Sequence, residues 1–274
     1  MKFTILGSSG FIGTHLANYL KQQSINCFTP SKEYVLSKNE NLGHLVYCIG
    51  LTADFRQKPM ETIKSHVCKL IEILENATFE TFLYLSSTRV YLGSNSGNEW
   101  DKITVEPTDP NYLYNISKLM GESICLSIPK PTVRVVRISN VIGFDFNSDN
   151  LLYFLIKESF DKKNIILRQS IKSTKDYVSI DDVTKMITLI SQKGRCRLYN
   201  IASGFCLSHE QLINEIRKQI PCDVEVNENA PELTYPEISI ERIKNEFSFI
   251  PKNILHDMQS LIKQYKEEKI NDTN

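Results

Sequence analysis

The sequence predicts a doubly wound α/β fold, in which a parallel sheet carries helices on both faces, and three observations predict it. An apolar run at residues 2–6 leads directly into a glycine-rich turn and then into a helical pattern. Short apolar runs and helical patterns alternate from there to residue 143, which is the rhythm of consecutive βαβ units. A chain of 274 residues with 41% hydrophobic residues can bury the core that such a sheet needs.

The opening segment predicts a dinucleotide-binding turn. It places three glycines in a GxxGxxG spacing between the first strand and the first helix. Gly7 suits a tight turn, Gly10 leaves room for a pyrophosphate near the backbone, and Gly13 lets the helix pack close to the sheet. The free N–H groups and the positive dipole end of the helix favour phosphate. The predicted cofactor contacts are Gly7, Ser9, Gly10, Phe11, Ile12 and Gly13.

The second strand, at residues 25–29, runs into Ser31 and Lys32. A hydroxyl and a cation suit a 2′-phosphate better than a carboxylate would, so the sequence slightly favours NADP over NAD. The alternative is that both side chains belong to a solvated loop. Too few residues precede the next strand, at residues 44–50, for a parallel crossover, so any strand between the two is reduced or missing.

Polar residues follow the next predicted strands, at the edge where ligands gather in open α/β sheets. Thr52 and Asp54 follow the strand at 44–50, and a helix is predicted at 59–76. Ser87, Thr88 and Arg89 follow a strand at 81–85. After a helix at 110–127, a strand at 133–138 leads to Asn140.

Three of these residues form a candidate catalytic set. Tyr114 and Lys118 lie four residues apart on a predicted helix, so they share one face. A neighbouring lysine cation favours the phenolate, which lets the phenol exchange a proton with a substrate hydroxyl or carbonyl. Ser87 can hydrogen-bond the same substrate oxygen, and Lys118 can also hold the nicotinamide ribose. Alone, a Y-x-x-x-K pair is more often an exposed helix pair; the glycine turn and the serine strand end favour the catalytic interpretation.

Beyond residue 143 the rhythm changes to a smaller, irregular lobe. We predict a dinucleotide-binding domain at 1–141 and 176–201, with the strand at 198–201 returning to the sheet, and a substrate-binding lobe at 142–175 and 202–274. Helices are predicted at 151–160 and 208–219, and two more within 239–268.

Composition excludes several other classes of protein. Lys+Arg and Asp+Glu balance at 32 each, which argues against a nucleic-acid or anionic-membrane partner. No apolar run reaches transmembrane length, and the N-terminal run reads as a strand rather than a signal peptide. The seven cysteines show no metal-ligand spacing, so we expect buried thiols, no metal and a cytoplasmic location.

The sequence resembles the extended short-chain dehydrogenase/reductase family of nucleotide-sugar epimerases, dehydratases and reductases. The segments that carry the resemblance are G7-SSG-FIG13, S86-STRVY91, Y114-NISK118, R137-ISNVIG143, K175-DYVSIDDV183 and Y199-NIASG204. This resemblance implies a Rossmann domain, a Ser87–Tyr114–Lys118 triad, and hydride passing between a bound NAD(P) and a sugar carbon. It also implies that Asn140 and Lys175 lie near the substrate diphosphate, with a strand cap and a surface charge as the alternatives.

Three departures from the family pattern bear on function. The short connection at 30–43 lacks an acidic residue that many relatives use against the adenine. His66 stands where many relatives have an asparagine, in the helix before the strand that carries Ser87. We expect this histidine to be packed and hydrogen-bonded rather than catalytic. Where 4,6-dehydratases carry an Asp-Glu pair for water elimination, this chain has Thr88 and Arg89, which disfavours dehydration.

We therefore expect an NAD(P)-dependent enzyme that acts on a nucleoside-diphosphate sugar, as a 4-epimerase or a 4-keto-sugar reductase. Thr52, Asp54, Thr88, Arg89, Asn140 and Lys175 are the predicted substrate contacts. The alternative is a non-catalytic dinucleotide-sensing or scaffold protein with the same fold. Helices 59–76 and 110–127 resemble the pair that forms the family's dimer interface, which implies a homodimer.

Overall fold

The computed structural model describes residues 1–35, 37, 40–52, 54–144 and 150–272, with side chains described up to residue 269. In chain order the strands are β1 (Lys2–Leu6), β2 (Asn26–Phe28), β3 (His44–Tyr47), β4 (Thr81–Ser87), β5 (Val133–Ile138), β6 (Asn140–Ile142), β7 (Asn164–Leu167), β8 (Thr174–Ser179), β9 (Leu198–Ile201), β10 (Cys206–Ser208) and β11 (Asp223–Val226). The α-helices are α1 (Phe11–Gln22), α2 (Pro59–Ile63), α3 (Lys69–Asn76), α4 (Leu113–Ser127), α5 (Leu151–Asp161), α6 (Ile180–Lys193), α7 (His209–Arg217), α8 (Glu241–Phe247) and α9 (Ile254–Asp272).

A six-stranded parallel sheet forms the centre of the molecule, in the order β2-β1-β3-β4-β5-β9. The predicted doubly wound α/β fold is therefore confirmed. β3 pairs directly with β1, and the described part of the connection from β2 to β3 adds no strand to the sheet. The carboxyl ends of β1, β3, β4 and β5 consequently lie side by side, which brings the loops that follow them to one edge.

Apolar side chains cover both faces of this sheet. On one face, Leu16 and Leu20 of α1 and Met186 of α6 join a core with strand residues such as Ile5 and Val136. On the other face, α3 and α4 pack through Leu70, Ile73 and Cys125 against residues including Tyr47 and Tyr84. The inner strands β3, β4 and β5 read as near-continuous apolar runs because both of their faces are buried.

A second core lies outside the central sheet. It is built mainly from α5, β7, α7 and α9, with Tyr177 of β8 at its margin. Two small sheets accompany it, one in the order β10-β8-β6 and one pairing β11 with β7. Strands of three or four residues such as β6, β10 and β11 were not predicted, since their periodicity is too short to read.

The helix predicted at 59–76 contains a π-helical turn at Lys64–Cys68 between α2 and α3. Buried tyrosines of the sheet bind the carbonyls of this turn: the Tyr47 hydroxyl donates to the Ser65 carbonyl at 2.6 Å and Tyr84 to that of His66 at 3.3 Å. The helix predicted at 110–127 begins with a 3₁₀ turn at Pro110–Tyr112 before α4.

Within the described residues, no helix is both long and apolar enough to cross a bilayer.

Candidate active site

The glycine turn connects β1 to α1 at the carboxyl edge of the sheet. Gly7 has a φ of +85°, and a Cβ there would lie 2.9 Å from the Cys48 backbone. At Gly13 a Cβ would overlap the Gly7 carbonyl oxygen, so this position accepts only glycine without a shift of the turn. Both glycines are therefore required by close backbone approach.

Gly10 differs, because a Cβ there would meet only the Gly7 carbonyl oxygen at 3.5 Å. The space beside Gly10 is thus open toward the edge where α1 begins. Gly10 caps α1 without a side-chain hydrogen bond, and the first turn carries no acidic residue. This combination of free N–H groups, a positive helix end and open space fits a dinucleotide pyrophosphate.

Ser87, Tyr114 and Lys118 come together at the end of β4. Tyr114 and Lys118 lie one turn apart on α4, and both are buried. The Lys118 Nζ lies 5.9 Å from the centre of the Tyr114 ring and donates to the Leu85 carbonyl at 2.9 Å. Ser87 caps the short 3₁₀ turn Thr88–Tyr91 by accepting from the Arg89 N–H at 3.2 Å.

Burial raises the pKa of Tyr114 to about 12. A hydrogen bond with Ser87 and the positive charge of Arg89 act in the opposite direction but do not outweigh burial. We expected Lys118 to be the cation that lowers this pKa. In the structure the charge of Arg89 has that effect, and the Lys118 ammonium donates to the Leu85 carbonyl.

Burial also lowers the pKa of Lys118 to about 8, with the charge of Glu122 acting to raise it. Glu122 forms a buried ion pair with Arg137, the Glu122 Oε2 lying 2.6 Å from an Arg137 Nη. The Ser86 hydroxyl donates to the same carboxylate. Together with Ser86, this pair therefore joins α4, β4 and β5 one helical turn beyond Lys118.

His66 contacts the same group from the π-helical turn. It is fully buried, its Nδ1 lies 2.8 Å from the Ser117 Oγ, and its Nε2 accepts from the Leu51 N–H at 3.2 Å. Its ring meets that of Tyr114 edge to face at 5.3 Å. Burial lowers the pKa of His66 to about 2, helped by the charge of Lys118, so it is neutral. The expectation of a packed, hydrogen-bonded histidine agrees with this geometry.

The predicted substrate contacts occupy different environments. Thr52 is exposed, whereas Thr88 is buried. The Asp54 carboxylate lies 3.4 Å from the Lys58 Nζ, so it already has a cationic partner. Asn140 is exposed and donates from Nδ2 to the Asp176 carbonyl at 2.8 Å. Lys175 is partly buried, and burial together with the charge of Arg89 lowers its pKa.

Two residues beside the candidate site were not predicted from the sequence. The Phe55 ring lies 5.6 Å from the Tyr114 ring. The Arg56 Cζ lies 4.4 Å and the Arg89 Cζ 5.4 Å from the centre of the same phenylalanine ring. Neither Phe55 nor Arg56 belongs to a motif, and only the fold of the loop after β3 brings them to the tyrosine.

Ser31 and Lys32 lie exposed in the turn after β2, with Glu33 beside them. A backbone N–H and the Ser31 hydroxyl lower the pKa of Glu33. The turn thus presents a cation and a carboxylate side by side, so it suits either a 2′-phosphate or a ribose 2′-hydroxyl.

Among the described residues, no three His, Cys, Asp or Glu side chains are grouped to hold a metal ion.

Comparison with known proteins gives the family. Residues 3–202 match the family described as NAD dependent epimerase/dehydratase family, and this match covers most of the chain. The chain belongs to the NAD dependent epimerase/dehydratase family. This membership confirms the resemblance to the extended short-chain dehydrogenase/reductases.

Relatives of this family member are distant in sequence. The dTDP-D-glucose 4,6-dehydratase of Dictyostelium discoideum is 26% identical, over 78% of this chain and 61% of the relative. The chain therefore spans less than two thirds of that enzyme's length.

Solved structures are similar over nearly the whole chain. MoeE5 in complex with UDP-glucose and NAD has a TM-score of 0.82 at 16% identity, covering 98% of this chain and 99% of that chain. MoeE5 with UDP-glucuronic acid and NAD has a TM-score of 0.81 at 15% identity, covering 98% and 100%. RMD from Pseudomonas aeruginosa complexed with NADPH has a TM-score of 0.77 at 18% identity, covering 96% and 99%.

Proposed function

We propose that this chain is an NAD(P)-dependent enzyme that acts on a nucleoside-diphosphate sugar, with Tyr114 as its acid/base. The observation that carries the proposal is the buried Tyr114 phenol beside Ser87 and Lys118, at the sheet edge that the glycine turn also reaches. Family membership supports the cofactor class, and the two MoeE5 complexes support a UDP-sugar as the first substrate to test.

Three groups of residues are the proposed contacts for the cofactor. The backbone of Gly7, Ser9, Gly10, Phe11, Ile12 and Gly13 would hold the pyrophosphate, Ser31 and Lys32 the adenosine ribose, and Tyr114 and Lys118 the nicotinamide ribose. When bound, the nicotinamide supplies the hydride acceptor or donor that no amino-acid side chain can provide. Because Glu33 adjoins Lys32, the preference for NADP over NAD is not strengthened by the structure.

Tyr114 would exchange one proton with the substrate. As an acid, the protonated phenol donates to a keto oxygen, which is the reductase direction. As a base, it removes the proton of a sugar hydroxyl, which is the first step of an epimerase. With its pKa raised to about 12, the phenol is protonated at neutral pH and is ready for the acid role. The base role requires positive charge near the phenol, and Arg89 already contributes some.

The remaining candidates would orient the sugar nucleotide. Ser87 would hydrogen-bond the reacting oxygen, and Asn140 and Lys175 would contact the diphosphate. Thr52, Asp54, Thr88 and Arg89 would contact the sugar. Since Thr88 and Arg89 stand where 4,6-dehydratases carry an acid-base pair, we propose an epimerase or a keto-sugar reductase rather than a dehydratase.

A thermal-shift panel tests this proposal. Each of UDP-, dTDP-, GDP- and ADP-sugars is added with NAD⁺, NADH, NADP⁺ or NADPH, and the melting temperature of the chain is measured. A ligand that binds only the folded state at 100 times its Kd stabilises it by about 2.7 kcal/mol, so one cofactor and one sugar nucleotide should each raise the melting temperature.

The same protein preparation separates the two activities. Tightly retained NAD⁺ indicates the epimerase, and exchangeable NADPH the reductase. If no dinucleotide and no sugar nucleotide changes the melting temperature, the proposed function is wrong.

A further inference from the structure

Two arginines lie against one phenylalanine beside the candidate catalytic tyrosine. The Arg56 and Arg89 guanidinium groups contact the Phe55 ring, and both bind Asn111. Arg56 Nε donates to the Asn111 Oδ1 at 2.7 Å, and Arg89 donates from an Nη to the Asn111 carbonyl at 3.3 Å. Phe55 and Asn111 thus hold two like charges together, although such charges repel.

No described carboxylate forms an ion pair with either arginine. The nearby Asp54 pairs with Lys58 at 3.4 Å. Asp109 raises the pKa of Arg56, but its Oδ1 accepts from both the N–H and the Nδ2 of Asn111 at 2.8 Å. Burial and the charge of Arg89 together lower the pKa of Arg56, so the two cations act on each other.

Arg89 also has an unsatisfied donor. Its Nε is buried and has no hydrogen-bond partner among the described residues, and an unpartnered buried donor on a charged group is costly. The Nε and the neighbouring Nη of a guanidinium match the two oxygens of a carboxylate in a bidentate contact. The missing partner is therefore best supplied by an anionic ligand.

The position of the arginines would place this anion beside the candidate catalytic tyrosine. Arg89 acts on the Tyr114 phenol, and the Phe55 ring lies 5.6 Å from that of Tyr114. Burial and the charge of Arg89 also lower the pKa of Lys175, a candidate for the diphosphate, so the diphosphate is the competing anion for these arginines. An anion held by Arg56 and Arg89 would therefore sit close to the proton-exchanging oxygen.

We propose that Arg56 and Arg89 bind a carboxylate on the sugar ring, so that the chain prefers a nucleotide-activated uronic acid over the matching neutral hexose. This inference rests on the proposed function and names its substrate class. The contrasting possibility is that the same two arginines bind the diphosphate, which every nucleotide sugar shares.

Calorimetric titration of the full chain, saturated with the nicotinamide cofactor that stabilises it, separates these two sources of negative charge. The probes are UDP-glucuronate, UDP-glucose and UDP. The wild-type chain should bind UDP-glucuronate at least about tenfold more tightly than UDP-glucose. Arg89→Gln should remove most of that preference and leave the affinity for UDP and UDP-glucose within about twofold.

Two further variants keep the test independent of folding defects. Arg56→Gln should reduce the same preference without touching the turn after Ser87. Lys58→Gln removes an exposed cation of the same loop that already has a carboxylate partner, and it should leave the preference unchanged.

Equal wild-type affinity for the two sugars would overturn the carboxylate assignment and leave the proposed function intact. So would an Arg89→Gln variant that loses affinity for all three probes alike, because that result places the arginine on the diphosphate. If no probe binds and the wider nucleotide-sugar panel also fails, the proposed function itself is contradicted.

Discussion

At the scale of single residues, burial sets the pKa values of the titratable side chains in the candidate site. Burial raises the pKa of Tyr114 and lowers those of Lys118 and His66. His66 and Lys118 both lie beside the Tyr114 ring, so the site holds a protonated phenol, a weakly basic amine and a neutral imidazole. Their charge states at neutral pH follow from desolvation first and from neighbouring charges second.

His66 predicts a specific pH dependence of stability. Its folded pKa of about 2 lies below its ordinary value of 6.5, so below pH 6.5 the unfolded chain takes up a proton that the folded chain does not. Stability therefore falls as the pH falls, by about 1.4 kcal/mol per pH unit from this residue. Between pH 7 and 5 this contribution amounts to about 2 kcal/mol, so in His66→Gln the free energy of unfolding, measured by urea titration, should fall by about that much less than in the wild type.

The wild type and the variant are compared by how their free energy of unfolding changes with pH, because His66→Gln also alters packing by the same amount at every pH. His209, whose pKa burial lowers to about 4, contributes equally to both proteins and cancels. The matched control is the exposed His256→Gln, which should keep the wild-type slope. Identical slopes for wild type and His66→Gln would show that His66 is not a buried neutral histidine.

At the scale of secondary-structure elements, an ion pair fixes α4 against the sheet. The Arg137 and Glu122 side chains are only 5% and 3% exposed, and two guanidinium nitrogens contact the carboxylate. Arg137 also donates to the Tyr91 hydroxyl at 2.8 Å, which in turn donates to Asn200. Tyr114 and Lys118 are carried by the helix that this pair anchors.

Removing one partner of the Glu122–Arg137 ion pair should therefore lower the stability of the fold. Glu122→Gln leaves a buried guanidinium without its counter-charge, and we expect a loss of about 3–5 kcal/mol in the free energy of unfolding, measured by chemical denaturation. Glu241→Gln is the control, because its ion pair with Lys244 lies on the surface and should contribute within about 1 kcal/mol. Equally small losses in both variants would contradict a structural role for the Glu122–Arg137 pair.

The sequence predicts well the elements that have a long apolar run or that are bounded by glycines. The β1–turn–α1 unit, β5 and the return of β9 to the sheet all agree with the structure. The π-helical turn escapes prediction because one inserted residue hardly changes a pattern of apolar residues three and four apart. Its effect on the site is large, since it carries His66 to the Tyr114 ring.

The residues of the candidate site also divide into those that the sequence predicts and those that it does not. Ser87, Tyr114 and Lys118 could be placed from strand ends and helix spacing, because parallel topology brings those positions to one edge. Phe55, Arg56 and Asn111 could not, because their proximity depends on how two irregular loops pack. The direction of the Tyr114 pKa shift also depends on burial, which spacing alone does not give.

At the scale of the whole molecule, the face formed by α2, α3 and α4 retains exposed apolar side chains. Met60 is 70% exposed, Met120 49% and Ile71 38%. We propose that this face forms a homodimer interface, as the resemblance of helices 59–76 and 110–127 to the family's dimer helices implies. Burying such side chains is the main favourable term in association.

Light scattering at micromolar concentration should give twice the chain mass of 31.5 kDa. Met120→Glu places a charge in the proposed interface and should shift the protein toward monomer. Ile250→Glu is the control, since Ile250 is 84% exposed and lies outside these helices. A wild-type chain that remains monomeric would exclude this interface at that concentration.

The central claim is that the Tyr114 phenol transfers a proton to or from the sugar nucleotide. Tyr114→Phe tests it most directly, in a stopped-flow experiment that mixes the cofactor-loaded chain with the stabilising sugar nucleotide and follows nicotinamide absorbance. We expect the wild type to show an absorbance change and the variant to lose it by at least about a thousandfold in rate, with cofactor affinity nearly unchanged. A Tyr114→Phe variant that reacts like the wild type would contradict the account, and a wild-type chain that binds both ligands without reacting would favour the non-catalytic alternative.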